Sequence, residues 1–486
     1  MIASLKRDTL VYGTAVLTER AVSFLLLPVL TKMLSPDLFG VWSQIIITIG
    51  LLSSLLLLHL HTALVNTFSG DAKEPAPKYL AFHGILFVAL IAAAIVLVGL
   101  WACESLMSRA VFGHEEFHAF IPLLGLLLAT EALFELTIAF LRSAQQVARL
   151  SLYYTVKNLG RLALMAGGLV FFQVDLYDTI LWVGLWQAAL VGFIYVKDIF
   201  TQTIPIVVSE SLSHMKSLLS FSLPLVPLGI MLWGNSFLDR YLILHFLGLE
   251  QVGIYAVTYS LAATTAVLYS ILGFTLYPEL TRLWNANDKA RAGELVRTSV
   301  GYYLLFLVPA IAILTMLGEE IIAVFATKRY LSHWLAMLMI AGGIGLYGLY
   351  QIHLYVVLLA KKTLQNLLIV GGSLVLNFVL NLMLLNVFGL TGAAMAILLS
   401  NGFLAGCTIM LSRKAAPILF PWLQVGKMLI AVAIMTALLL VAKQSIPLNN
   451  FWGLFFAIVI AGAVYLTCYC FSDREMARGL RRLSMS

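Results

Sequence analysis

The stretch "YLAFHGILFVALIAAAIVLVGLW" (Tyr79–Trp101) contains no Asp, Glu, Lys or Arg. A helix needs about 20 consecutive apolar residues to cross the hydrocarbon core of a bilayer, and this stretch is long enough. Comparable runs recur along the chain, for example "FWGLFFAIVIAGAVYLTCYC" (Phe451–Cys470). Of the 486 residues, 61% are hydrophobic and 11% are charged, whereas about 25% charged is usual in soluble domains. The sequence therefore predicts an all-α polytopic membrane protein.

Fourteen transmembrane segments are predicted, with the N-terminus and the C-terminus both in the cytoplasm. In this topology the inside loops and ends contain 21 of the 30 Lys and Arg residues, and the outside loops contain 5. This bias follows the positive-inside rule and would disappear if one mid-chain segment had been missed or added. The segments, numbered 1 to 14 in chain order, are 10–31, 41–66, 79–101, 119–141, 150–172, 176–197, 217–246, 252–280, 300–326, 333–360, 364–388, 390–412, 423–442 and 450–470.

The net charge of +7 reflects the basic inside loops, which attract anionic lipid headgroups. Membrane lipids are therefore expected partners, and no nucleic acid is needed to explain the charge. The four cysteines lie in or beside apolar runs without a histidine cluster, so we expect neither a metal site nor a cofactor. Segment 1 contains Glu19 and Arg20 and lacks a small-residue cleavage site, which predicts a retained helix.

A short pattern occurs twice at corresponding places in the chain. "LSPDLFGVW" (Leu34–Trp42) follows segment 1, and "LGLEQVGIY" (Leu247–Tyr255) follows segment 7, both at outer turns of the predicted topology. Because six segments separate them, segments 1–6 and 7–12 are predicted to form two parallel six-helix bundles, related by an axis along the membrane normal. We expect these bundles at 1–200 and 211–414, with two C-terminal helices and a basic cytoplasmic tail at 420–486.

The repeated pattern has the composition of a helix start. Ser35 and Pro36 are typical of an N-cap and of the first helical turn, and Asp37 and Glu250 suit the positive end of a helix. We therefore expect a structural role for the pattern and no substrate contact.

Two parallel bundles suit a transporter that works by alternating access, in which the bundles rock about a central site. A membrane glycosyltransferase or polysaccharide polymerase fits less well, because the longest outside loop, about 102–118, is short and contains no Asp-x-Asp pair. A channel is disfavoured because no filter motif repeats. No G-x-x-x-x-G-K-[ST] motif is present, so ATP hydrolysis by this chain is not expected. The chain is thus predicted to be a transporter and not an enzyme.

Eight charged side chains are predicted away from the ends of the segments, where charge is costly unless it faces a cavity or an opposite charge. Segments 4 and 5 each carry two of them at i, i+4 spacing, which places each pair on one helix face. From the depth of each position we predict a ladder in which Glu135 pairs with Lys157 and Glu131 pairs with Arg161. The eight residues are Glu19, Arg20, Glu131, Glu135, Lys157, Arg161, Asp239 and Arg240.

Two interpretations of this ladder are open from the sequence. Either it is a structural ion-pair network that joins segments 4 and 5, or its cations hold an anionic headgroup in a cavity while its acids tune them or carry a coupling proton. Loss of function in a single variant would not separate the two, because breaking a buried pair leaves an uncompensated charge in both cases.

Arg20 is the strongest candidate for substrate contact, because it lies near the middle of segment 1. Pro28 in segment 1 and Pro224 and Pro227 in segment 7 predict kinks, and we expect these equivalent kinked helices to gate the site. Arg240 lies nearer the outer end of segment 7, where its long side chain can extend so that the guanidinium reaches the membrane surface. Asp239 and Arg240 therefore also have a structural explanation.

Polar and aromatic residues elsewhere have two interpretations each. Asn377 and Asn381 in segment 11 are spaced i, i+4 and suit either interhelical hydrogen bonding or a polar cavity. His59 and His61 in "LHLHT" either titrate or take part in hydrogen-bonded packing. Several aromatic residues suit either interface anchoring or the stacking of sugars: Trp182, Trp186, Tyr347, Tyr350 and Tyr355.

Three stretches of the sequence are distinctive: "LLPVLTKMLSPDLFGVW" after a helix carrying Arg20, "DRYLILHFLGLEQVGIYAV" and "LNFVLNLMLLNVFGLTGAAMAI". They resemble the signatures of the polysaccharide transporters, which belong to the multidrug/oligosaccharidyl-lipid/polysaccharide exporter superfamily. The likeness spans residues 5–412. Its most specific part is the third stretch, with Asn377, Asn381, Gly389, Gly392, Ala393 and Ala394.

The resemblance implies a flippase that carries undecaprenyl-pyrophosphate-linked oligosaccharides from the inner to the outer leaflet of the bacterial cytoplasmic membrane, for O-antigen, capsule or exopolysaccharide assembly. It implies a cation-lined cavity in which Arg20, Lys157 and Arg161 contact the pyrophosphate, with Arg240 as a further candidate. It also implies coupling to H⁺ or Na⁺, and as further partners a polysaccharide polymerase and other assembly proteins. The candidate coupling or ion-pair acids are Glu19, Glu131, Glu135 and Asp239.

Relatives in the superfamily provide the alternatives. Lipid II flippases of cell-wall synthesis also have fourteen helices and a cationic cavity, but several of their arginine positions have no clear counterpart here. Cation-coupled multidrug exporters typically have twelve helices and an acid-lined cavity. The extra helix pair at 423–470 and the membrane cations argue against that class.

Overall fold

The structure is a computed structural model that describes residues 2–68, 76–199, 208–445, 448 and 450–472. Throughout these residues the regular structure is helical, and they contain no β-strand. The predicted all-α class is therefore confirmed.

Nineteen α-helices are formed by the described residues, and we number them in chain order. The first ten are α1 Ile2–Met33, α2 Pro36–Leu57, α3 Leu60–Phe68, α4 Ala76–Ala102, α5 Glu104–Phe112, α6 Phe120–Ser143, α7 Val147–Ala166, α8 Leu176–Ile194, α9 Val208–Ser222 and α10 Leu225–Leu247. The others are α11 Leu249–Ala262, α12 Ala266–Asn285, α13 Lys289–Met316, α14 Gly318–Phe325, α15 Trp334–Leu359, α16 Thr363–Phe388, α17 Leu390–Arg413, α18 Trp422–Ser445 and α19 Phe451–Ser472.

Eleven helical spans within the described residues are long and apolar enough to cross a membrane, and twelve if α9 and α10 form one span with a bend of 40°. The chain is therefore a multi-pass membrane protein. Each of the fourteen predicted segments falls on one helix or on a run of consecutive helices. Segments 1 and 5, which correspond to the charged helices α1 and α7, are not among the eleven spans. The count of fourteen and the orientation of both ends stay predictions.

Several predicted segments are interrupted. Segment 2 is broken between α2 and α3, where Leu58 and His59 both adopt left-handed backbone conformations with φ of 47° and 55°. In segment 8, a short 3₁₀ turn at Ala263–Thr265 separates α11 from α12. Segment 5 ends in a π-helical stretch at Gly167–Phe171. Irregular helices of this kind are common where a transporter binds its substrate.

The chain divides into two compact units, and the division passes through α10 and α11. Unit 1 contains the residues up to Phe237 together with Gly248–Gly253. Within it, α1 packs along α7, and α6 contacts α2, α3, α4 and α8. Helix α6 has buried residues on all sides, among them Leu124, Phe134 and Phe140. This central helix carries two acidic residues of the predicted ladder.

Unit 2 contains Leu238–Leu247 and the residues from Ile254 onward. Helix α15 lies at its centre and packs against α12, α13 and α17, while α16 covers α17. The last two helices, α18 and α19, pack on each other and on α13. Gly343 of α15 lies against Ile397 of α17 so closely that a Cβ atom there would clash, which explains the tight approach of these helices.

The repeated corner pattern forms helix starts, as predicted. Ser35 is the N-cap of α2 and accepts a hydrogen bond from the Leu38 N–H at 3.4 Å, and Pro36 occupies the first turn. A Cβ atom on Gly253 would clash with the carbonyl of Pro36 and the nitrogen of Gly40. The start of α11 therefore packs directly on the start of α2 within unit 1, and the two copies of the pattern contact each other through their glycines.

Candidate functional site

A cavity of about 220 Å³ lies in unit 1 among α1, α2, α6, α7 and α8, and we call it the lysine chamber. Charged residues from three of these helices line its wall. They are Glu19 of α1, Glu131 and Glu135 of α6, and Lys157 and Arg161 of α7. Five of the eight charged residues predicted inside the membrane are thus brought together in one place.

Glu131 is the centre of the polar contacts in the lysine chamber. Its Oε1 lies 2.7 Å from Lys157 Nζ, and its Oε2 accepts a hydrogen bond of 2.6 Å from Gln187 Nε2 of α8. The Lys157 ammonium also lies 4.2 Å from the centre of the Phe134 ring, a cation–π contact. Both oxygens of Glu131 are therefore occupied, and Lys157 is held from two sides.

The predicted pairing of the ladder is wrong by one helical turn. Lys157 pairs with Glu131 and not with Glu135. Arg161 forms no ion pair with the described residues, and its Nε has no hydrogen-bond partner among them. The prediction assumed that α6 and α7 meet at equal depth. The observed pair joins Lys157 to the acid one turn further along α6, about 5.4 Å away, a distance that the long lysine side chain or a displacement of α7 along α6 can bridge.

Glu135 lines a second cavity as well, of about 420 Å³, which we call the histidine chamber. His61, Asn66, Arg142 and Tyr154 also line this chamber. Of the described residues, Glu135 alone lines both chambers. Among the described residues it forms no hydrogen bond or ion pair, so this carboxyl group stands unpaired between the two chambers.

The break between α2 and α3 positions the two predicted histidines. His59 Nε2 lies 2.9 Å from Ser54 Oγ, and the rings of His59 and His61 are stacked with 5.5 Å between their centres. His61 then faces the histidine chamber. Left-handed conformations at Leu58 and His59 are unfavourable for residues with a Cβ atom, so their presence here marks a strained position at a cavity.

The two predicted charges of α1 separate in the structure. Both Glu19 and Arg20 are exposed, but only Glu19 lines the lysine chamber. Arg20 lines neither the lysine chamber nor the histidine chamber. Its predicted contact with substrate stays a prediction. Helix α1 continues through Pro28, whereas Pro224 lies at the bend between α9 and α10, one turn before Pro227.

Asp239 and Arg240 are both buried in unit 2. Tyr255 donates a hydrogen bond to Asp239, and the Arg240 guanidinium lies 4.6 Å from the centre of the Tyr259 ring. Arg240 is therefore packed inside the unit and does not snorkel to a surface, because the aromatic ring and the neighbouring acid offer it a closer environment than the headgroup region.

The asparagines of segment 11 lie at the contact of α16 and α17. Asn377 Nδ2 donates to Ser400 Oγ at 3.1 Å, and Asn381 Nδ2 donates to the Asn377 carbonyl at 2.9 Å. Both side chains are buried. This is the geometry of a polar contact between two membrane helices.

Two residues that matter for the chambers are absent from the predicted set. Gln187 donates a hydrogen bond to Glu131. In the sequence, the feature that could have indicated this residue is a single amide side chain in the apolar segment 6. Arg142 lines the histidine chamber, although the sequence suggested only an inside loop charge. In the part of the chain that the structure describes, no three or more His, Cys, Asp or Glu residues form a cluster that could hold a metal ion.

The fold of this chain is similar to that of several solved transporter structures. The chain superimposes on the lipid II flippase MurJ in an inward closed conformation with a TM-score of 0.75, at 14% identity over 96% of this chain and 100% of that one. An inward-facing multidrug resistance MATE family transporter of the MOP superfamily gives a TM-score of 0.67, at 13% identity over 81% of this chain and 94% of that one. A MOP superfamily transporter from Pyrococcus furiosus gives 0.60, at 12% identity over 84% and 95%. The chain therefore has the same fold as these three solved structures.

The chain belongs to the family described as polysaccharide biosynthesis protein, whose sequence pattern matches residues 29–335. A curated relative is the probable low-salt glycan biosynthesis flippase Agl15 of Haloferax volcanii, which is 24% identical over 265 residues. That alignment covers 53% of this chain and 54% of the relative, so the match spans about half the length of each.

Proposed function

We propose that this protein is a flippase for polyprenyl-pyrophosphate-linked oligosaccharides. It would move them from the inner to the outer leaflet of the bacterial cytoplasmic membrane for O-antigen, capsule or exopolysaccharide assembly. The observation that carries the proposal is the lysine chamber, a cavity lined by cationic side chains. The chain that contains this cavity belongs to a polysaccharide biosynthesis family. The flippase description of Agl15 supports it.

The electrostatics of the chamber suit an anionic headgroup. A pyrophosphate carries several negative charges, and moving it through a low-dielectric region requires cations that replace its water. Arg161 is half-buried, has no ion pair among the described residues and presents a planar fork of donors that matches phosphate oxygens. We therefore assign it the principal phosphate contact, with Lys157 as a second cation that is partly neutralised by Glu131.

Coupling to H⁺ or Na⁺ by alternating access completes the proposal. A carboxyl group that exchanges its ion during transport must be reachable and must not be locked in a salt bridge. Glu135 meets both conditions, because it lines two chambers and is unpaired among the described residues. Glu131, held by Lys157 and Gln187, has a positioning role.

The test is reconstitution of the full chain in liposomes with a fluorescent polyprenyl-pyrophosphate glycan. Its appearance in the opposite leaflet is measured by quenching from outside. The wild-type protein is expected to move the glycolipid, and Arg161→Gln is expected to lower the initial rate at least tenfold because one phosphate contact is lost. Arg291→Gln, which changes an exposed cation on α13, is the matched control and is expected to keep the wild-type rate.

Transport of a cationic dye without glycolipid movement would overturn the proposal and favour a multidrug exporter. A second candidate is supported by the superposition on MurJ: the headgroup carried could be that of lipid II. Offering lipid II in the same liposomes decides between them, because both substrates contain a polyprenyl pyrophosphate and they differ in the group attached to it.

A further inference from the structure

Unit 2 contains a row of tyrosines that the proposed headgroup site does not use. Tyr269 and Tyr277 of α12 are eight residues apart, and the rings of both face α15. Tyr347 and Tyr355 of α15 lie opposite them. The ring centres of Tyr269 and Tyr347 are 5.8 Å apart, and those of Tyr277 and Tyr355 are 5.1 Å apart.

Tyr277 and Tyr355 line a cavity of about 360 Å³, which we call the tyrosine pocket. Its wall is built by Ser270, Gly273, Tyr277, Pro278 and Tyr355, and none of these described residues is charged. A Cβ atom at position 273 would clash with the Tyr355 hydroxyl. The glycine therefore allows the Tyr355 ring to lie against α12, and the pocket depends on it.

The surface of the pocket suits a neutral ring-shaped ligand with many hydroxyl groups. The Tyr277 residue is 40% exposed and Tyr355 is half-buried, so both can be reached. Tyrosine combines an apolar ring face with a hydroxyl group that donates and accepts hydrogen bonds. The C–H faces of a sugar ring stack on such faces, and its hydroxyl groups bond to tyrosine and serine hydroxyls. A volume of about 300–1,000 Å³ is usual for small-molecule sites.

We propose that the tyrosine pocket binds a sugar residue of the transported glycan. This inference rests on the proposed function, because it assumes that the substrate carries an oligosaccharide. It adds a subsite for the neutral part of the substrate, on helices other than those of the lysine chamber. A tyrosine anchored at the lipid headgroups would also be partly exposed, but that role requires neither the ring pair nor the glycine beneath it.

Binding is tested first, without transport. The lipid-linked glycan is extracted from cells that produce this protein, and its oligosaccharide is released from the pyrophosphate. The detergent-solubilised full chain is expected to bind this neutral oligosaccharide in equilibrium dialysis. Tyr277→Leu and Tyr355→Leu are each expected to weaken binding about three- to tenfold, the range for loss of one aromatic stacking contact.

Matched variants separate stacking from folding. Tyr277→Phe and Tyr355→Phe keep the ring and are expected to bind within about threefold of the wild type, since only a hydroxyl group is lost. Trp452→Leu removes an aromatic residue of α19 that is 65% exposed, and is expected to have no effect on binding. Equal oligosaccharide binding by the wild type and the two leucine variants would overturn the inference, as would no binding by the wild type.

Transport by the same variants distinguishes this inference from the proposed function. If the wild-type protein moves the intact glycolipid while the leucine variants bind the free glycan normally, the flippase proposal stands and the tyrosine pocket is wrong. If the free glycan binds and the leucine variants lose it, but no glycolipid moves, the tyrosine pocket stands and the flippase proposal is wrong.

Discussion

Glu131 and Lys157 form an ion pair in the wall of the lysine chamber. Their side chains are 28% and 10% exposed, and their charged atoms are 2.7 Å apart. Removing both charges from water is costly, and the pair offsets that cost only while each partner has the other. Gln187 adds a hydrogen bond to the same carboxylate. Replacing one charged partner is therefore expected to lower the free energy of unfolding more than replacing both.

Lys157→Met is expected to lower the free energy of unfolding by about 2 kcal/mol. This is less than the roughly 3–5 kcal/mol of a fully buried pair, because water reaches part of Glu131. The double variant Glu131→Gln with Lys157→Met is expected to regain most of the loss. Thermal and denaturant unfolding of the detergent-solubilised protein measure both changes.

Arg282→Met is the control for that comparison, since its ion pair with Glu279 is largely exposed and is expected to contribute little to the free energy of unfolding. The reversed pair, Glu131→Lys with Lys157→Glu, adds a functional test. Restored stability with restored transport means that the pair acts only as a structural contact. Restored stability without transport means that Lys157 contacts substrate.

The charged residues of the candidate site could be predicted from the sequence, but their pairing could not. A charge in an apolar segment is visible at once, and five such residues do line one chamber. Which acid meets Lys157 depends on how far α7 is displaced along α6, and side-chain spacing within one helix carries no information on that displacement. Gln187 was missed for a related reason, because a lone amide has no partner visible in its own segment.

At the scale of helices, the bilayer explains why segment positions were predictable. Each span must reach across about 30 Å of hydrocarbon, so the apolar runs have a nearly fixed length. The break at Leu58 and His59 was not predictable, because neither residue is a glycine or a proline. The break is accompanied by the local hydrogen bond of His59 to Ser54 and by the close approach of Gly229 of α10 to the His59 ring, a tertiary contact that the sequence does not show.

The contact of α2 with the start of α11 gives a test of helix packing. Gly253→Ala is expected to destabilise the protein by about 1–3 kcal/mol, because the new methyl group meets backbone atoms of Pro36 and Gly40 that cannot rotate away. Thermal unfolding in detergent measures the change.

Gly99→Ala in α4 is the matched control. No heavy atom lies within 4 Å of the Cβ position there. Since alanine is the better helix former, this variant is expected to be neutral or to stabilise the protein by up to about 1 kcal/mol. Equal effects of the two substitutions would contradict the close backbone contact.

At the scale of the whole molecule, the orientation in the membrane is predicted from the distribution of Lys and Arg. Positive charge is retained on the cytoplasmic side, and the predicted inside loops hold most of it. The turn around Arg329, between α14 and α15, is then predicted to be outside. The turn at Lys361, between α15 and α16, is predicted to be inside.

This orientation can be measured with single cysteines after the four native cysteines are replaced by serine. Arg329→Cys is expected to react with a membrane-impermeant maleimide in intact cells. Lys361→Cys is expected to react only after the cells are permeabilised. Labelling of both from the same side would require a different number of spans in this part of the chain, and the reverse pattern would invert the predicted topology.

The glycine contact between the repeated corners also constrains the history of this chain. After a duplication, two copies usually diverge independently. Here the backbone of one corner occupies the space that a side chain on the other would need, so a larger residue at position 40 or 253 requires adjustment in the opposite copy. Positions 40 and 253 are therefore expected to covary among relatives, and an alignment in which one varies freely while the other stays glycine would contradict this constraint.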